Sequence, residues 1–363
     1  MNYRVIQWGT GNVGKHALRA IVERPDFDLA GVRVYSTEKV GTDAGDLLGG
    51  HPATGIKATD DINDILALDA DCVCYTALGS TLDERGGPLN DICRLLASGK
   101  NVVSSAVEYF AYFRPGLELK GAGDAYNRLT QACKEGKSTF FHVGINPGFA
   151  MDLWPLSMTR LCARIDHLHA IEVVDMTRYP SFHMVREVMG FGLPPDAPSA
   201  IDAYMGDVHE SPFYLSMRMI ADGLETELED IKYQREVAVT DVPISIAAGE
   251  IAAGTVAAVK FHYQGIVYGR PAITLEWIWR ITDDVAPEWP TGDSRWILHV
   301  DGNPSIYSSI DISTTEDAGR GTSIAVATLL LNAVPIVCEA PPGILDNLTL
   351  PPHGGGYFLP RKG

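Results

Sequence analysis

Short apolar runs alternate with helical patterns through the first 150 residues of the chain. Each run has the length of a buried strand, and the stretches between them place apolar residues three to four positions apart. The predicted strands are Val5–Trp8, Phe27–Tyr35, Asp71–Thr76, Asn101–Ser105 and Thr139–Val143. The predicted helices are 13–24, a short one within 43–49, 60–68, 89–96 and 124–135. This alternation predicts an α/β fold with a parallel, doubly wound sheet.

The pattern changes near residue 150, where strand-like segments follow one another across short turns. The predicted strands here are Ala170–Met176, Val256–Tyr268, Ala272–Ile281, Trp296–Val300 and Ser305–Ile312, beside helices at 152–163 and 216–224. Turns at 268–271 and at Asp301–Gly302 indicate two hairpins. We therefore predict a second, α+β domain with a mainly antiparallel sheet at 151–315, after a first domain at 1–150. We expect residues 316–363, which include an apolar helix at Arg320–Val334, to return to the first domain.

A glycine motif connects the first predicted strand to the first predicted helix. It reads Gly9-Thr10-Gly11-Asn12-Val13-Gly14. Strand, glycine loop and helix in this order are typical of Rossmann-type dinucleotide-binding domains, in which the helix N-terminus faces a pyrophosphate. The alternative is an ordinary glycine-rich turn. We also expect Ala77 and Leu78, after the strand at 71–76, to lie beside the nicotinamide ribose.

The end of the second predicted strand bears on the choice of cofactor. NAD-binding folds place an Asp or Glu there for the ribose hydroxyl, but this segment reads Tyr35-Ser36-Thr37-Glu38-Lys39. Ser36, Lys39 and Arg33 could instead hold a 2′-phosphate. The sequence therefore predicts NADP as the cofactor, and Glu38 leaves NAD open.

Composition excludes several classes of partner. The formal charge of −17 over 363 residues argues against nucleic acid or an anionic membrane. The six cysteines form no C-x-x-C pair, so we expect reduced, buried thiols in a cytoplasmic protein. The longest apolar region, 324–337, is interrupted by Asn332 and Pro335 and is expected to be too short to span a bilayer.

Two polar sites follow predicted strands at the carboxyl edge of the first sheet, where such folds keep their ligands. Glu108 lies among apolar and aromatic neighbours, including Tyr109, and could act as a general base with a pKa raised by burial. A solvated loop glutamate is the alternative. Asn146, in Gly144-Ile145-Asn146-Pro147-Gly148, could contact the nicotinamide or the substrate, with Pro147 fixing the turn. A purely structural hinge is the alternative there.

Other candidates lie in the second domain. Arg178, Tyr179 and His183 could line a substrate cleft, although each could equally be an ordinary surface residue. His167 and His169 form an H-x-H pair on what looks like an exposed edge, but no further ligand is spaced with them, so we predict no metal site. His262 is expected to be a hydrogen-bonded histidine within a strand.

Several motifs together resemble the 2,4-diaminopentanoate dehydrogenases and related native amine dehydrogenases of the dihydrodipicolinate-reductase-like superfamily. They are VIQWGTGNVG, GTDAGDLLG, SSAVEY, GINPGF and LLLNAVPIVCEAPPG. The resemblance implies an NAD(P)-dependent interconversion of an amine with a ketone or aldehyde plus ammonia. It implies a homodimer built through the second domain's sheet, and a catalytic glutamate at the place of Glu108. The His-His and Lys motif of dihydrodipicolinate reductases is missing from HLHAIEVVDMTRYPSFH, so that reaction is not expected.

The function expected from these features is reductive amination, with Glu108 as acid–base and iminium stabiliser. Arg178 is the one cation that we expect to bind a substrate carboxylate. A substrate that has no carboxylate is the alternative. One alternative is an alcohol or semialdehyde dehydrogenase on the same scaffold. Another is a non-catalytic NADP-binding sensor, which the fold alone does not exclude.

Overall fold

The computed structural model describes residues 2–77, 87–115, 117, 124–209, 211–314 and 321–356. The chain divides into two compact units. The first unit consists of Met1–Gly148 and Thr322–Gly363, and the second is Phe149–Gly321.

The N-terminal part of the first unit alternates strands with helices. Its strands are β1 (Tyr3–Trp8), β2 (Phe27–Arg33), β3 (Ala58–Thr59), β4 (Cys72–Tyr75), β5 (Asn101–Ser104) and β6 (Thr139–His142). Its helices are α1 (Asn12–Glu23), α2 (Ala44–Leu47), α3 (Ile62–Ala67), α4 (Pro88–Ala97) and α5 (Ala125–Gly136). Single 3₁₀ turns follow β2 at Thr37–Lys39 and β5 at Glu108–Phe110.

The described part of the second unit contains a six-stranded mixed sheet, a separate two-stranded sheet formed by its third and fourth strands, and three helices. The helices are α6 (Leu153–Thr159), α7 (Ala200–Gly206) and α8 (Pro212–Gly223), and a π-helical turn covers His183–Val188. The strands are β7 (Arg164–Asp175), β8 (Asp230–Val239), β9 (Ile244–Ile246), β10 (Gly249–Ile251), β11 (Val256–Val267), β12 (Arg270–Arg280), β13 (Ser294–Asn303) and β14 (Ile306–Asp311). The sheet order is β14-β13-β7-β12-β11-β8, and β7 with β12 is its parallel pair. The prediction of a mainly antiparallel second sheet is confirmed.

The chain then returns to the first unit through α9 (Gly321–Glu339) and β15 (Gly343–Leu345). Over the described residues, the first sheet has seven strands in the order β15-β6-β5-β4-β1-β2-β3, and each pairing is parallel. Its doubly wound character follows from alternation along β1. Val5 packs in a core cluster with α1 and α9 on one face of the sheet. On the other face, Ile6 pairs with Gly31, and Gly31 lies against Ile65 of α3 and Leu68 just after that helix. The predicted Rossmann-type fold is confirmed.

Helix α9 corrects one expectation from the sequence. It has 19 residues with mean hydropathy 1.8, so its length and composition alone would allow it to cross a membrane. The interruptions at Asn332 and Pro335 do not shorten it, because Pro335 lies inside the helix. Its buried side chains instead join the core of the first sheet, in one cluster with residues of β1, β4, β5 and β6: Ala327, Leu330, Leu331, Ala333, Val334 and Val337.

Two predictions in the second unit were wrong in detail. Strand β7 begins at Arg164 rather than Ala170, so His167 and His169 lie on an interior strand of the sheet and not on an exposed edge. The second hairpin does not turn at Asp301–Gly302. These two residues continue β13, pair with β7 across a register shift, and the chain turns after Asn303.

The cysteines are all free thiols, but only half of them are buried. Cys72, Cys74 and Cys133 lie in the interior, whereas Cys93, Cys162 and Cys338 are partly exposed. The expectation of buried thiols therefore holds for the first three alone.

Candidate active site

The glycine loop between β1 and α1 is shaped by two close approaches of the backbone. Gly9 has φ +90°, and a Cβ on Gly14 would lie 2.1 Å from the Gly9 carbonyl oxygen. Neither position tolerates a side chain without a shift of backbone. A Cβ on Gly11 would meet nothing within 4 Å, so space is open on that side of the loop. This is the space that a pyrophosphate needs in order to approach the backbone.

The N-terminus of α1 suits an anion. Gly11 occupies the N-cap position without a side-chain cap, and the first turn has no acidic residue. The first N–H groups of a helix have no partner within the helix, and they carry the positive end of its dipole. An anion held here would therefore meet backbone donors and a favourable field.

Two polar residues that the sequence analysis missed, the buried Gln7 and the partly buried Thr76, support the loop from behind. The Gln7 side-chain amide donates to the Gly9 carbonyl and to the Thr76 hydroxyl, both at 2.8 Å. The Thr76 hydroxyl in turn donates to the carbonyl of Trp8 at 2.9 Å. A glutamine inside an otherwise apolar strand was the available signal, because a buried polar side chain requires partners.

The last residue of β2 and the turn that follows it bring two cations close to the glycine loop. Lys39 Nζ lies 3.1 Å from the Thr10 hydroxyl. The Arg33 guanidinium lies over the rings of Trp8 and Tyr35, at 5.5 and 5.0 Å from their centroids. Ser36, which lies between these two cations in the sequence, has an exposed side chain.

Ala77 follows β4 and lies against Gly9, where its backbone nitrogen is 3.3 Å from the position of an added Cβ. It therefore borders the glycine loop, as the topology of the sheet requires. Leu78, the other residue nominated here, lies outside the described residues.

Glu108 follows β5 and opens the 3₁₀ turn at that end of the strand. Its Oε2 atom is buried and has no hydrogen-bond partner within the described part of the chain. Burial raises the pKa of this carboxyl group, and a backbone hydrogen bond of its own partly opposes the shift. An ionisable group held away from water in this way is suited to proton transfer. Tyr109, the next residue, is partly buried.

Asn146 and Pro147 lie in the loop that follows β6, the strand next to β5. Their peptide bond is cis. The loop is anchored to the C-terminal segment, because the Asn347 side chain donates to the Gly148 carbonyl at 2.5 Å. Asn146 is partly buried and Pro147 is buried. Glu108 and Asn146 thus leave adjacent parallel strands at the same edge of the sheet as the glycine loop.

The candidates in the second unit make local contacts within that unit. Arg178 pairs with Asp293 at 3.4 Å, and both side chains are more than half exposed. His183 Nδ1 lies 2.7 Å from a carboxylate oxygen of Glu187. Tyr179 is exposed.

Two histidines of the second sheet contact one carboxylate. His262 Nδ1 and His169 Nε2 lie 2.6 and 3.1 Å from the two oxygens of Glu276, so His262 is a hydrogen-bonded strand residue, as expected. These two histidines hold the pKa of Glu276 below its usual range against the opposing effect of burial. The described residues contain no group of three or more His, Cys, Asp or Glu side chains suited to a metal ion.

Comparison with known proteins gives the family. Residues 149–354 match the family described as the 2,4-diaminopentanoate dehydrogenase C-terminal domain. An amine dehydrogenase from Streptomyces virginiae is 32% identical over 364 residues, which cover 98% of each protein. A 2,4-diaminopentanoate dehydrogenase from Acetoanaerobium sticklandii is 27% identical over 258 residues, covering 69% of this chain and 66% of that protein.

A solved structure supports the fold. The amine dehydrogenase from Mycobacterium smegmatis superposes with a TM-score of 0.74 over 97% of both chains, at 16% identity. The family resemblance stated from the sequence motifs is confirmed. The chain belongs to the family of amine and 2,4-diaminopentanoate dehydrogenases, and it is an oxidoreductase that uses a nicotinamide cofactor.

Proposed function

We propose that the chain catalyses the NAD(P)H-dependent reductive amination of a ketone or aldehyde with ammonia, and the reverse oxidative deamination of an amine. The observation that carries this proposal is the buried, unpaired oxygen of Glu108 within the described residues, at the carboxyl edge of a dinucleotide-binding sheet. A carboxylate in such a place favours a neighbouring cation and can accept a proton.

The residues present fit a bound dinucleotide. The open side of Gly11 and the uncapped N-terminus of α1 would hold its pyrophosphate, while Ala77 and Asn146 follow strands on the nicotinamide side. When bound, the cofactor supplies or accepts the hydride.

Glu108 has two roles in the proposed mechanism. It takes a proton from ammonium, and the ammonia so formed adds to the carbonyl carbon and passes a proton from nitrogen to oxygen to give the carbinolamine. Glu108 then gives its proton to the carbinolamine hydroxyl, so that water leaves and the iminium cation forms. The carboxylate then stabilises the iminium cation, which is electrostatically worth more in a site with little water. Asn146 and Tyr109 are proposed to orient the substrate beside it.

Glu108→Gln is the decisive variant, because it keeps the shape of the side chain and removes its charge. General acid–base catalysis is typically worth about 10²–10⁴-fold, so we expect kcat to fall by at least about 100-fold. The assay follows NADPH or NADH oxidation with a panel of aldehydes and ketones, with and without ammonium. Near-normal turnover by this variant would refute the role of Glu108.

The same panel separates the alternatives. Carbonyl reduction that does not depend on ammonium would indicate an alcohol or semialdehyde dehydrogenase. Cofactor binding without turnover across the panel would favour a sensor. Including oxo acids beside simple ketones tests whether Arg178, which pairs with Asp293, binds a substrate carboxylate.

We propose NADP as the preferred cofactor. Lys39 and Arg33 flank the exposed Ser36, and the residues from 33 to 37 include no carboxylate. A 2′-phosphate placed there would gain charge-assisted hydrogen bonds. Glu38 is exposed in the adjoining turn, and a lower Michaelis constant for NAD than for NADP would overturn this preference.

We also propose that the protein works in the cytoplasm as a homodimer that pairs through the sheet of the second unit. Partly exposed histidines lie on one face of this sheet, with the rings of His169 and His299 6.0 Å apart and that of Tyr307 4.7 Å from His299. Tyr307 is 71% exposed on this face, so its ring is available for contact with a second copy of the chain. Sedimentation of Tyr307→Glu tests this: we expect monomers, and an unchanged dimer would place the interface elsewhere.

A further inference from the structure

The peptide groups on both sides of Ala106, two residues before Glu108, are fixed by side chains of the sheet. The Ala106 N–H donates to the Ser104 hydroxyl oxygen at 3.0 Å, and that hydroxyl donates to the Ala106 carbonyl at 3.3 Å. Both residues are buried. Ser104 is the last residue of β5, so the rigid sheet fixes the start of the loop that carries Glu108.

A second side chain reaches the same carbonyl from the adjacent strand. His142 is the last residue of β6 and pairs with Ser104 in the sheet register. Its ring is buried and hydrogen-bonds to the Ala106 backbone. Its Nδ1 has no partner within the described residues, which assigns the donated proton to Nε2. Burial lowers the pKa of His142 to about 3, so the ring stays neutral and remains a single N–H donor over the working pH range.

The residue between Ala106 and Glu108 is strained. Val107 has φ +67° and ψ +91°, a conformation that β-branched residues rarely adopt. Such conformations cost on the order of 1–3 kcal/mol and persist only where the surroundings over-determine them. Here the Ala106 carbonyl is held from two strands, the Val107 side chain is buried, and its carbonyl accepts from the N–H of Phe110 at 3.0 Å.

We propose that His142 is a positioning residue: with Ser104 it clamps the Ala106 peptide, holds Val107 in its strained conformation and so keeps the Glu108 carboxylate in its buried place. This inference rests on the proposed role of Glu108. Within the described residues, the buried Oε2 atom of Glu108 has no hydrogen-bond partner that would hold it in place. Its orientation therefore depends on the backbone that the clamp fixes.

The test compares two substitutions at one position. His142→Phe keeps an aromatic ring and removes the donor, whereas His142→Gln restores an N–H donor near the place of Nε2. Displacing a catalytic group by about 1 Å can cost about 100-fold in rate. We expect His142→Phe to lower kcat by about 10–100-fold with little change in the KM for the cofactor, and His142→Gln to recover most of the loss. His51→Phe is the matched control, since its ring also hydrogen-bonds to a backbone carbonyl but lies at the surface.

A direct titration of Glu108 separates positioning from general damage. Its carboxyl signal is obtained by infrared or carbon NMR difference against the same protein carrying Glu108→Gln. We expect the pKa of Glu108 to fall towards its ordinary value in His142→Phe, because the freed loop lets the carboxylate reach water. A folded His142→Phe with unchanged kcat and unchanged Glu108 pKa overturns the proposal, and so does a His142→Gln variant as impaired as the phenylalanine one.

Two further outcomes are distinguishable. If His142→Phe does not fold, Ser104→Ala removes the other half of the clamp and must produce the same pair of shifts. If Glu108→Gln retains turnover, the proposed function fails. The clamp is still tested independently, by whether His142→Phe changes the pKa of Glu108.

Discussion

Lys39 Nζ lies 3.1 Å from the Thr10 hydroxyl, which joins the turn after β2 to the glycine loop after β1. The two segments follow neighbouring strands of the parallel sheet, so their ends meet at one edge. A cation is thereby held where the adenosine half of a dinucleotide would pass on its way to the pyrophosphate.

Lys39→Met should weaken the binding of NADPH and leave the binding of NADH nearly unchanged. A hydrogen bond to a charged group contributes about 1.5–3 kcal/mol, so we expect the KM for NADPH to rise by about tenfold or more, with the KM for NADH nearly unchanged. Lys134→Met, on α5, is the control for loss of a surface charge. An equal rise for both cofactors would show that Lys39 acts on the part they share and not on a 2′-phosphate.

Two glycines in the same loop should respond differently to alanine. A methyl group on Gly14 would collide with the Gly9 carbonyl, so Gly14→Ala should lower the melting temperature of the cofactor-free protein. Gly11→Ala meets open space, so we expect near-normal melting together with weaker cofactor binding. Thermal melts and fluorescence titration with NADPH measure the two effects. Normal NADPH affinity in Gly11→Ala would place the pyrophosphate elsewhere.

Activity should depend on the ionisation of Glu108. Because burial raises its pKa, the carboxylate forms only above the usual range of a glutamate, which is about 4.3. We expect kcat to fall as the pH drops through this raised pKa. The control is the same pH profile for Glu108→Gln, which should lack this acid limb. An acid limb preserved in Glu108→Gln would belong to another group.

The same shift predicts a cost in stability. A carboxyl group whose pKa is higher in the folded than in the unfolded protein contributes stability below the unfolded pKa, and this contribution is lost as the pH rises through the folded pKa. Glu108→Gln should therefore raise the melting temperature of the cofactor-free protein at neutral pH, with the difference vanishing below about pH 4. A destabilised variant at neutral pH would mean that the carboxylate is stabilised by a partner.

The pair Arg114–Asp346 should stabilise the segment that follows Glu108. Its two hydrogen bonds measure 2.7 and 3.1 Å, and Asp346 also accepts from the backbone of residues 348 and 349. We expect Asp346→Asn to lower the free energy of unfolding, measured with urea, by about 1–3 kcal/mol. The bond to Arg114 contributes the smaller part, because the Arg114 side chain is partly exposed to solvent. Asp69→Asn breaks the exposed pair with Arg4 and should cost less than about 1 kcal/mol. If both variants lost the same free energy of unfolding, the Arg114–Asp346 pair would not anchor this segment.

The sequence predicted those parts of the site in which chemistry restricts the residue type. The glycine loop is of this kind, because Gly9 and Gly14 leave no room for a side chain. Glu108 became the candidate for catalysis because a carboxylate followed an apolar strand at a known edge of the sheet, and its role stays a prediction. Gln7 and Thr76 were missed, since their role depends on the loop that they support and not on their own pattern.

Other features had no local signal. The positive φ of Val107 runs against the preference of its own side chain, so only the packing around it reveals the conformation. The predicted start of strand β7 was too late because alternating histidines at 167 and 169 resemble a solvated edge. Inside the sheet, His167 contacts the Thr274 hydroxyl and His169 contacts Glu276. Strand β15 has three residues, which is too short for periodicity to detect.

The return of α9 and β15 to the first unit has a consequence for biosynthesis. Strand β15 closes the sheet beside β6, and α9 fills the core against β1, β4, β5 and β6. A nascent chain therefore cannot complete its N-terminal unit while residues 343–345 are still inside the ribosome. The nucleotide-binding half, although synthesised first, is expected to finish folding last, and the intervening unit can assemble before it.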